Sequence, residues 1–392
     1  MRSTQSQSNL VALIGFTALF LFIIELSLSG RHVLHEKTLQ QYNQMYVSIF
    51  NSNVYSSNTG NGKGAKMIKE RDYGGSFFTR VNRHTRSPLV LLNGYEENTK
   101  RSHKQASNRK VNESLITVNA RGRLGNQMFI YATLLGAGAR TQHHAYRRNT
   151  KRFTWRLSMF SNISVPLWSN ADADRVESSL KTVHESACCK FSHRIVDLQP
   201  TQNYVLDGYL QSWRYFDNVA DQLRRSEFVF HDIIKEQCVG VIKNELQKRQ
   251  LKRGECTLVG AHMRRGDMVA LSMYTPASAT YLKRAISYMR DKLQNTTRCV
   301  HFLIVGDDHA WNIQNVPKEP DVSVAQTNSP EIDLCVLSQC SHSIMSVGTF
   351  GWWGAYLANG ITVYQKEFAP PHSVLHKQFN VKDYYPPDWV PL

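Results

Sequence analysis

The chain has 392 residues, 42% of them hydrophobic and 20% charged. It therefore fits a globular protein with material for two sizeable cores once the tails are set aside. Lys and Arg outnumber Asp and Glu by 47 to 31, a net charge of +16. Residues 31–112 carry +9 of it, from 14 Lys and Arg against 5 Asp and Glu.

Leu10 to Leu28 is apolar except for Thr17, Glu25 and Ser27. Nineteen helical residues at ~1.5 Å each nearly cross a ~30 Å hydrocarbon core. Nothing later is comparable, so one anchor at most is expected. Ser27 and Ser29 also suit a signal-peptide cleavage site, but the run exceeds the usual h-region, which favours an uncleaved anchor over 10–29 behind a cytoplasmic tail, 1–9. Arg2 precedes the span while Arg31 and Lys37 follow it, so basic residues do not set its orientation. Either reading sends the remainder into the secretory pathway and makes nucleic acid a poor partner. Residues 30–112, rich in Asn, Ser and Gly, read as an extended stem. Its basic charge could meet acidic glycans or lipid head groups, although a solvated linker is the simpler reading. Sequons at Asn112, Asn162 and Asn295 agree with a lumenal fate.

From Ser114 the texture changes. Ser114–Val118 reads as a strand, Asn119–Asn126 as a Gly-containing loop and Gln127–Ala139 as an apolar helix. Adjacent His143 and His144 read as surface. The middle, 150–250, is mixed, with an aromatic cluster from Gly208 to Phe216. The last third alternates: strand 257–262, helix near 278–294, strand 300–305, helix from Ser329-Pro330 to about Gln339, strand 343–347, helix through Leu357, strand 361–364. Ser then Pro is an N-cap with Pro at N1, and Asn359-Gly360 is a C-cap signal. Such alternation means parallel strands with helices on both faces. The expected division is 113–250 and 251–392. The seven cysteines show no zinc-like spacing. Cys256 and Cys299 each precede a strand, so a bridge across their amino ends is feasible if the strands are neighbours. An odd count leaves at least one thiol unpaired.

The richest segment is His262-Met263-Arg264-Arg265-Gly266-Asp267, at the end of a buried parallel strand. Ligands of open α/β sheets bind outside the carboxyl ends of such strands. Two arginines there can fork onto phosphate oxygens; the plain alternative is a solvated turn or a chance Arg-Gly-Asp tripeptide. Further strand-end or helix-start groups are Asp307/Asp308, Asp333 and Ser346/Gly348/Thr349. Their convergence on one edge offers cations for a diphosphate and acceptors for a nucleoside.

Gly122-Arg-Leu-Gly-Asn126-Gln-Met-Phe129, Gly208-Tyr-Leu-Gln-Ser-Trp213, the HxRRxD run and Ile344-Met-Ser-Val-Gly-Thr-Phe-Gly-Trp-Trp353 together resemble the α-1,2-fucosyltransferases of glycosyltransferase family 11, from about Leu115 to Pro370. The resemblance implies a GT-B-like α/β fold of two Rossmann-type domains flanking a cleft, the second binding the donor. It implies inverting transfer of fucose from GDP-β-L-fucose to the 2-hydroxyl of a terminal galactose, no bound metal or cofactor, and a type II anchor in the Golgi membrane. By position, Arg264 holds the β-phosphate and Arg265 packs or supports. His262 and Asp333 match guanine-reading positions, and Asp307 and Asp308 match an acidic pair. Ser346, Gly348, Thr349 and Phe350 complete the donor side, and Asn126 faces the cleft from the other domain. Asp267 is the candidate general base, or only orients an arginine. Asp307 and Asp308 could instead cap a helix. Trp352 and Trp353 read as helix core rather than a sugar platform.

Three rivals share features. A sulfotransferase needs a Lys-bearing phosphate loop after its first strand, where this chain has Arg123. A protein O-fucosyltransferase would share the donor but accept a folded peptide. A single-pass adhesion protein would leave the strand-end loops unexplained.

Overall fold

The computed structural model describes residues 114–150, 157–325, 327 and 329–392, all within one compact unit, 83–392. The expected anchor, stem and Asn112 sequon lie outside the described residues. Among the described residues, no helix is long and apolar enough to cross a membrane.

The first half is built on β1 (Leu115–Val118), α1 (Leu124–Thr141), β2 (His144–Ala145), β3 (Leu180–His184) and β4 (Asn203–Asp207). Its sheet has the order β2-β1-β4-β3, all parallel. Every residue of β1 is buried, as expected of a central parallel strand covered on both faces. Helix α1 starts at Leu124, three residues before the expected Gln127. Gly122, at φ +68°, makes the turn, so Gly125 and Asn126 fall in the first helical turn rather than in a loop. The helix ends on Gln142 in the left-handed region.

The second half follows with α2 (Asp232–Gln247), β5 (Thr257–Met263), α3 (Ala279–Leu293), β6 (Val300–Gly306), α4 (His309–Asn315), β7 (Val322–Val324), α5 (Pro330–Ser338), β8 (His342–Met345), α6 (Thr349–Ala358), β9 (Thr362–Tyr364), α7 (Val381–Tyr384) and β10 (Val390–Pro391). Its six-stranded sheet, β10-β9-β8-β5-β6-β7, is parallel throughout. Register places His262 beside Met345 on one side and Val305 on the other, so three strand ends share one edge. The expected caps form. The Ser329 side chain accepts from the Ile332 N–H, and Asn359 ends α6 at φ +56°. Strand β8 stops at Met345, so Val347 lies in the turn rather than the strand.

The Cys256–Cys299 bridge is present, with Cα atoms 4.7 Å apart. A second bridge, Cys238–Cys335, joins α2 to α5. Arg249, just after α2, donates to the Val322 carbonyl at 2.7 Å. Helix α2 thus packs with the second sheet.

The halves meet through a buried aromatic cluster. Phe129 of α1 lies 4.5 Å and 5.1 Å, ring to ring, from Trp352 and Trp353 of α6, and both indoles are fully buried. These tryptophans are core, as read. The carboxyl-terminal α7 returns to the first half: Asp383 pairs with Arg214 at 2.8 Å and accepts from the Phe191 N–H. The surface reading of His143 is wrong. Its buried ring sits 2.7 Å from Thr141 Oγ1 and 3.0 Å from the Gln202 carbonyl, so local polarity misleads where a distant carbonyl satisfies the ring.

Candidate active site

Between the carboxyl edges of the two sheets lies a cavity of about 600 Å³. From the second half it is lined by His262, Arg264, Asp267, Asp307, Asp333, Gly348, Thr349 and Phe350, and from the first by Arg123, Asn126, Tyr209 and Gln211, among others. The first turns of α1 and α6 open on it. Backbone N–H groups at such ends lack helical partners and favour anions.

Arg264 is the centre of the charge array. Its side chain is only 13% exposed and pairs with both Asp267 and Asp307. Burial lowers its pKa from the ordinary guanidinium value, yet arginine stays charged under any ordinary condition. Asp267 holds Arg264 through one oxygen and Arg123 through the other. This single carboxylate therefore gathers cations from both halves. Both oxygens of the candidate base are engaged, so its visible work is positioning.

Three assigned donor residues do not line the cavity, and each has other work. Ser346 is buried; its hydroxyl accepts from the Arg264 N–H at 2.7 Å and donates to the His262 carbonyl at 3.1 Å. It fixes the backbone that carries the histidine and the arginine. Arg265 lies against Trp311, 4.5 Å from the ring centroid, donates to the Ala277 carbonyl and pairs with Asp308 at 3.5 Å. Asp308 caps α4 by accepting from the Trp311 N–H at 3.0 Å, whereas Asp307 lines the cavity. Its Oδ2 meets Arg264 and its Oδ1 accepts from the Arg265 N–H at 2.9 Å.

His262 is buried beside Phe350, and burial with the Arg264 charge pushes its pKa down to about 3. It is a neutral imidazole, and its Nδ1 has no hydrogen-bond partner. Glycine at 351 lets the ring sit there, because a Cβ would come 2.6 Å from Nδ1. Asp333 is pushed up to about 6, by burial against the opposing Thr327 hydroxyl bond.

Asn126 joins the halves. Its Oδ1 accepts from Thr349 Oγ1 at 2.8 Å and from Gln211 Nε2 at 3.0 Å. Two donors on the oxygen leave the NH2 as the group available to a ligand.

Sequence reasoning gave no role to Arg123, Tyr209 or Gln211, although all three stood in motifs it quoted. It also missed the rim residues Leu271 and Met273, both exposed, and Glu185. The Glu185 carboxylate accepts from the Tyr209 and Leu210 N–H groups at 3.0 and 2.9 Å, and burial pushes it up to about 7. A glycine is needed at 208 because a Cβ there would meet Glu185 at 2.5 Å. Asn162 and Asn295 are exposed. Among the described residues, no group of three or more His, Cys, Asp or Glu could hold a metal.

Two parallel sheets that meet at an arginine-bearing cavity define an α/β protein with its site on the strand ends. The family model described as glycosyl transferase family 11 matches residues 87–392, and the chain belongs to that family. It is 31% identical over 286 residues to galactoside alpha-(1,2)-fucosyltransferase 2 of Oryctolagus cuniculus, covering 71% of this chain and 77% of that one. Over 282 residues it is 32% identical to galactoside alpha-(1,2)-fucosyltransferase 1 of Leontocebus fuscicollis, covering 70% and 74%. Among solved structures, fucosyltransferase NodZ from Bradyrhizobium is similar at 12% identity and a TM-score of 0.40, over 62% of this chain and 92% of that one.

Proposed function

We propose that this protein transfers L-fucose from GDP-β-L-fucose to the 2-hydroxyl of a terminal galactose on a glycan, forming an α-1,2 linkage with inversion. Membership of the family and the names of its relatives support the reaction. The observation that carries it in this chain is the half-buried Arg264 at the end of β5, joined through Asp267 to Arg123 of the opposite half. The carboxylates of Asp267 and Asp307 meet the Arg264 guanidinium. GDP would take their place on Arg264, with phosphate oxygens where the Asp267 and Asp307 oxygens now sit.

As the glycosidic bond breaks, negative charge grows on the β-phosphate. A preorganised guanidinium stabilises that growing charge more than the ground state, which accelerates the step. Neutral His262 and the Asp333 carboxylate supply polar edges for guanine, with Phe350 beside them. Asn126 offers its NH2 from the far wall. If Arg123 moves to the phosphates, Asp267 Oδ2 is freed to take the acceptor proton. Two arginines do the neutralising otherwise done by a divalent ion, so no metal is needed.

The halves correspond to a GT-B-like pair of domains, and the apolar stretch at 10–29 to a type II anchor holding the site in the Golgi lumen. The test is incubation of the full-length protein with GDP-fucose and an array of galactose-terminated glycans, followed by linkage determination. An α-1,2-fucosylated galactose is expected. Transfer to protein alone, or to another hydroxyl, would overturn the assignment.

A further inference from the structure

Cys188 and Cys189 lie beside the cavity, and the fucosyl-transfer chemistry leaves them without a role. Cys188 is on the cavity wall and Cys189 is buried. Their sulfurs are 2.8 Å apart, inside ordinary nonbonded contact. Cys189 is held at φ +60°, a region that a non-glycine residue adopts only when its surroundings require it. Both sulfurs converge on one atom, Gln211 Oε1, at 3.4 and 3.3 Å. The same side chain donates through Nε2 to Asn126 Oδ1. Of the seven cysteines, four form the two long-range bridges. Only Cys340 remains besides this pair, and it is buried with its Sγ on the Val336 carbonyl.

We infer that Cys188 and Cys189 close a vicinal disulfide in the cavity wall, and that closure releases Gln211 Oε1 to accept a hydroxyl of the acceptor sugar. The inference rests on the proposed passage of the chain through an oxidising lumen. The oxidant is a small disulfide such as oxidised glutathione. Cys188, the reachable thiol, attacks it and expels one thiol to form a mixed disulfide. The Cys189 sulfur then attacks the Cys188 sulfur and expels the second. One S–S bond forms and one breaks; the two expelled thiols carry away two electrons and two protons. Reduced, the pair holds Gln211 Oε1 with two S–H donors; oxidised, it has none. Neighbouring Cα atoms are about 3.8 Å apart, closer than the roughly 4.4–6.8 Å usual for a disulfide, so the ring is tight and easily reduced.

The full-length protein, made through the secretory pathway, is alkylated without reduction and digested with trypsin. Peptide 182–190 should be recovered unalkylated and two hydrogens light. It should become doubly alkylated at a lower dithiothreitol concentration than opens Cys238–Cys335 or Cys256–Cys299. Double alkylation without reductant while those bridges stay intact overturns the vicinal bond and leaves the proposed function standing. Alkylation of all seven cysteines without reductant overturns the bond and the lumenal reading together. A peptide linking Cys188 or Cys189 to Cys340 also overturns it. For Gln211, the Cys188→Ser/Cys189→Ser variant restores two donors onto Oε1. It should raise acceptor KM several-fold, more than it lowers kcat and without a matching change in donor KM. A fall in kcat alone overturns the release of Gln211.

Discussion

The indole N–H of Trp353 donates a 2.9 Å hydrogen bond to the carbonyl of Gly125. The bond ties the first turn of α1, in one half, to the centre of α6, in the other. A Cβ at Gly125 would come 2.7 Å from the Thr349 carbonyl carbon and from Thr349 Oγ1. Backbone on backbone leaves no soft partner to move. Gly125→Ala should therefore push the helices apart and destabilise by about 1–3 kcal/mol, the usual range for overpacking. Denaturant melts measure the loss. Wild-type stability with full activity would show that the contact relaxes freely.

Arg264→Lys keeps the charge and loses the planar fork. Removing one donor aimed at transition-state charge typically costs about 10²–10³ in rate, so kcat/KM for GDP-fucose should fall at least about 10²-fold with the fold retained. Arg265→Lys should lose less activity, because its partners are Trp311, the Ala277 carbonyl and Asp308, and should show its effect in thermal melts. Near-wild-type kinetics for Arg264→Lys would remove the diphosphate assignment.

Asn126→Asp isolates a single group. The new carboxylate still accepts from Thr349 and Gln211, so the junction should hold and the melting temperature change little. The NH2 donor is gone, and a negative charge now faces the site. We expect kcat/KM to drop by about 10²-fold, in line with the loss of a directed donor. Unchanged kinetics would place the donor and acceptor elsewhere.

Asp333 makes a pH prediction whose sign follows from burial. Its folded pKa of about 6 lies above an unfolded carboxyl near 3.8. Between those values the folded state binds more protons, so this group's contribution to stability falls as pH rises from about 4 to 6. GDP affinity should move the other way and tighten as the carboxylate ionises through pH 6. Calorimetric titration of GDP across pH 5–8 should show the tightening in wild type and a flat profile in Asp333→Asn. A parallel slope in both proteins would count against Asp333 as the guanine reader.

Activity in EDTA tests the arginine-only account of the diphosphate. It should persist at close to its untreated rate. Loss restored by Mn²⁺ would mean that a divalent ion shares the work of Arg123 and Arg264.

The second sheet was legible because β5 and β6 are mostly apolar, interrupted only by Thr257, His262 and His301, and Ser329-Pro330 and Asn359 mark helix ends by local chemistry alone. The site edge was legible for the same reason, since parallel strands bring Arg264, Asp307 and Thr349 together without any side-chain argument. The start of α1 was hidden. Gly125 and Asn126 look like loop residues, and only the distant Thr349 explains a glycine there. The Cys238–Cys335 bridge was hidden too, because its members are 97 residues apart and sequence does not fix pairing among seven cysteines. The division of labour between Asp307 and Asp308, or Arg264 and Arg265, depends on which way each neighbour turns, and two identical adjacent letters cannot say.

Asp383 is almost fully buried under Arg214 and accepts from the Phe191 N–H, while the Tyr384 carbonyl accepts from the Trp352 indole at 2.9 Å. A chain growing from its amino end lays down the first sheet more than 150 residues before these partners exist. Until Asp383 and Tyr384 have been added, the Arg214 guanidinium, the Phe191 N–H and the Trp352 indole of that chain lack these partners.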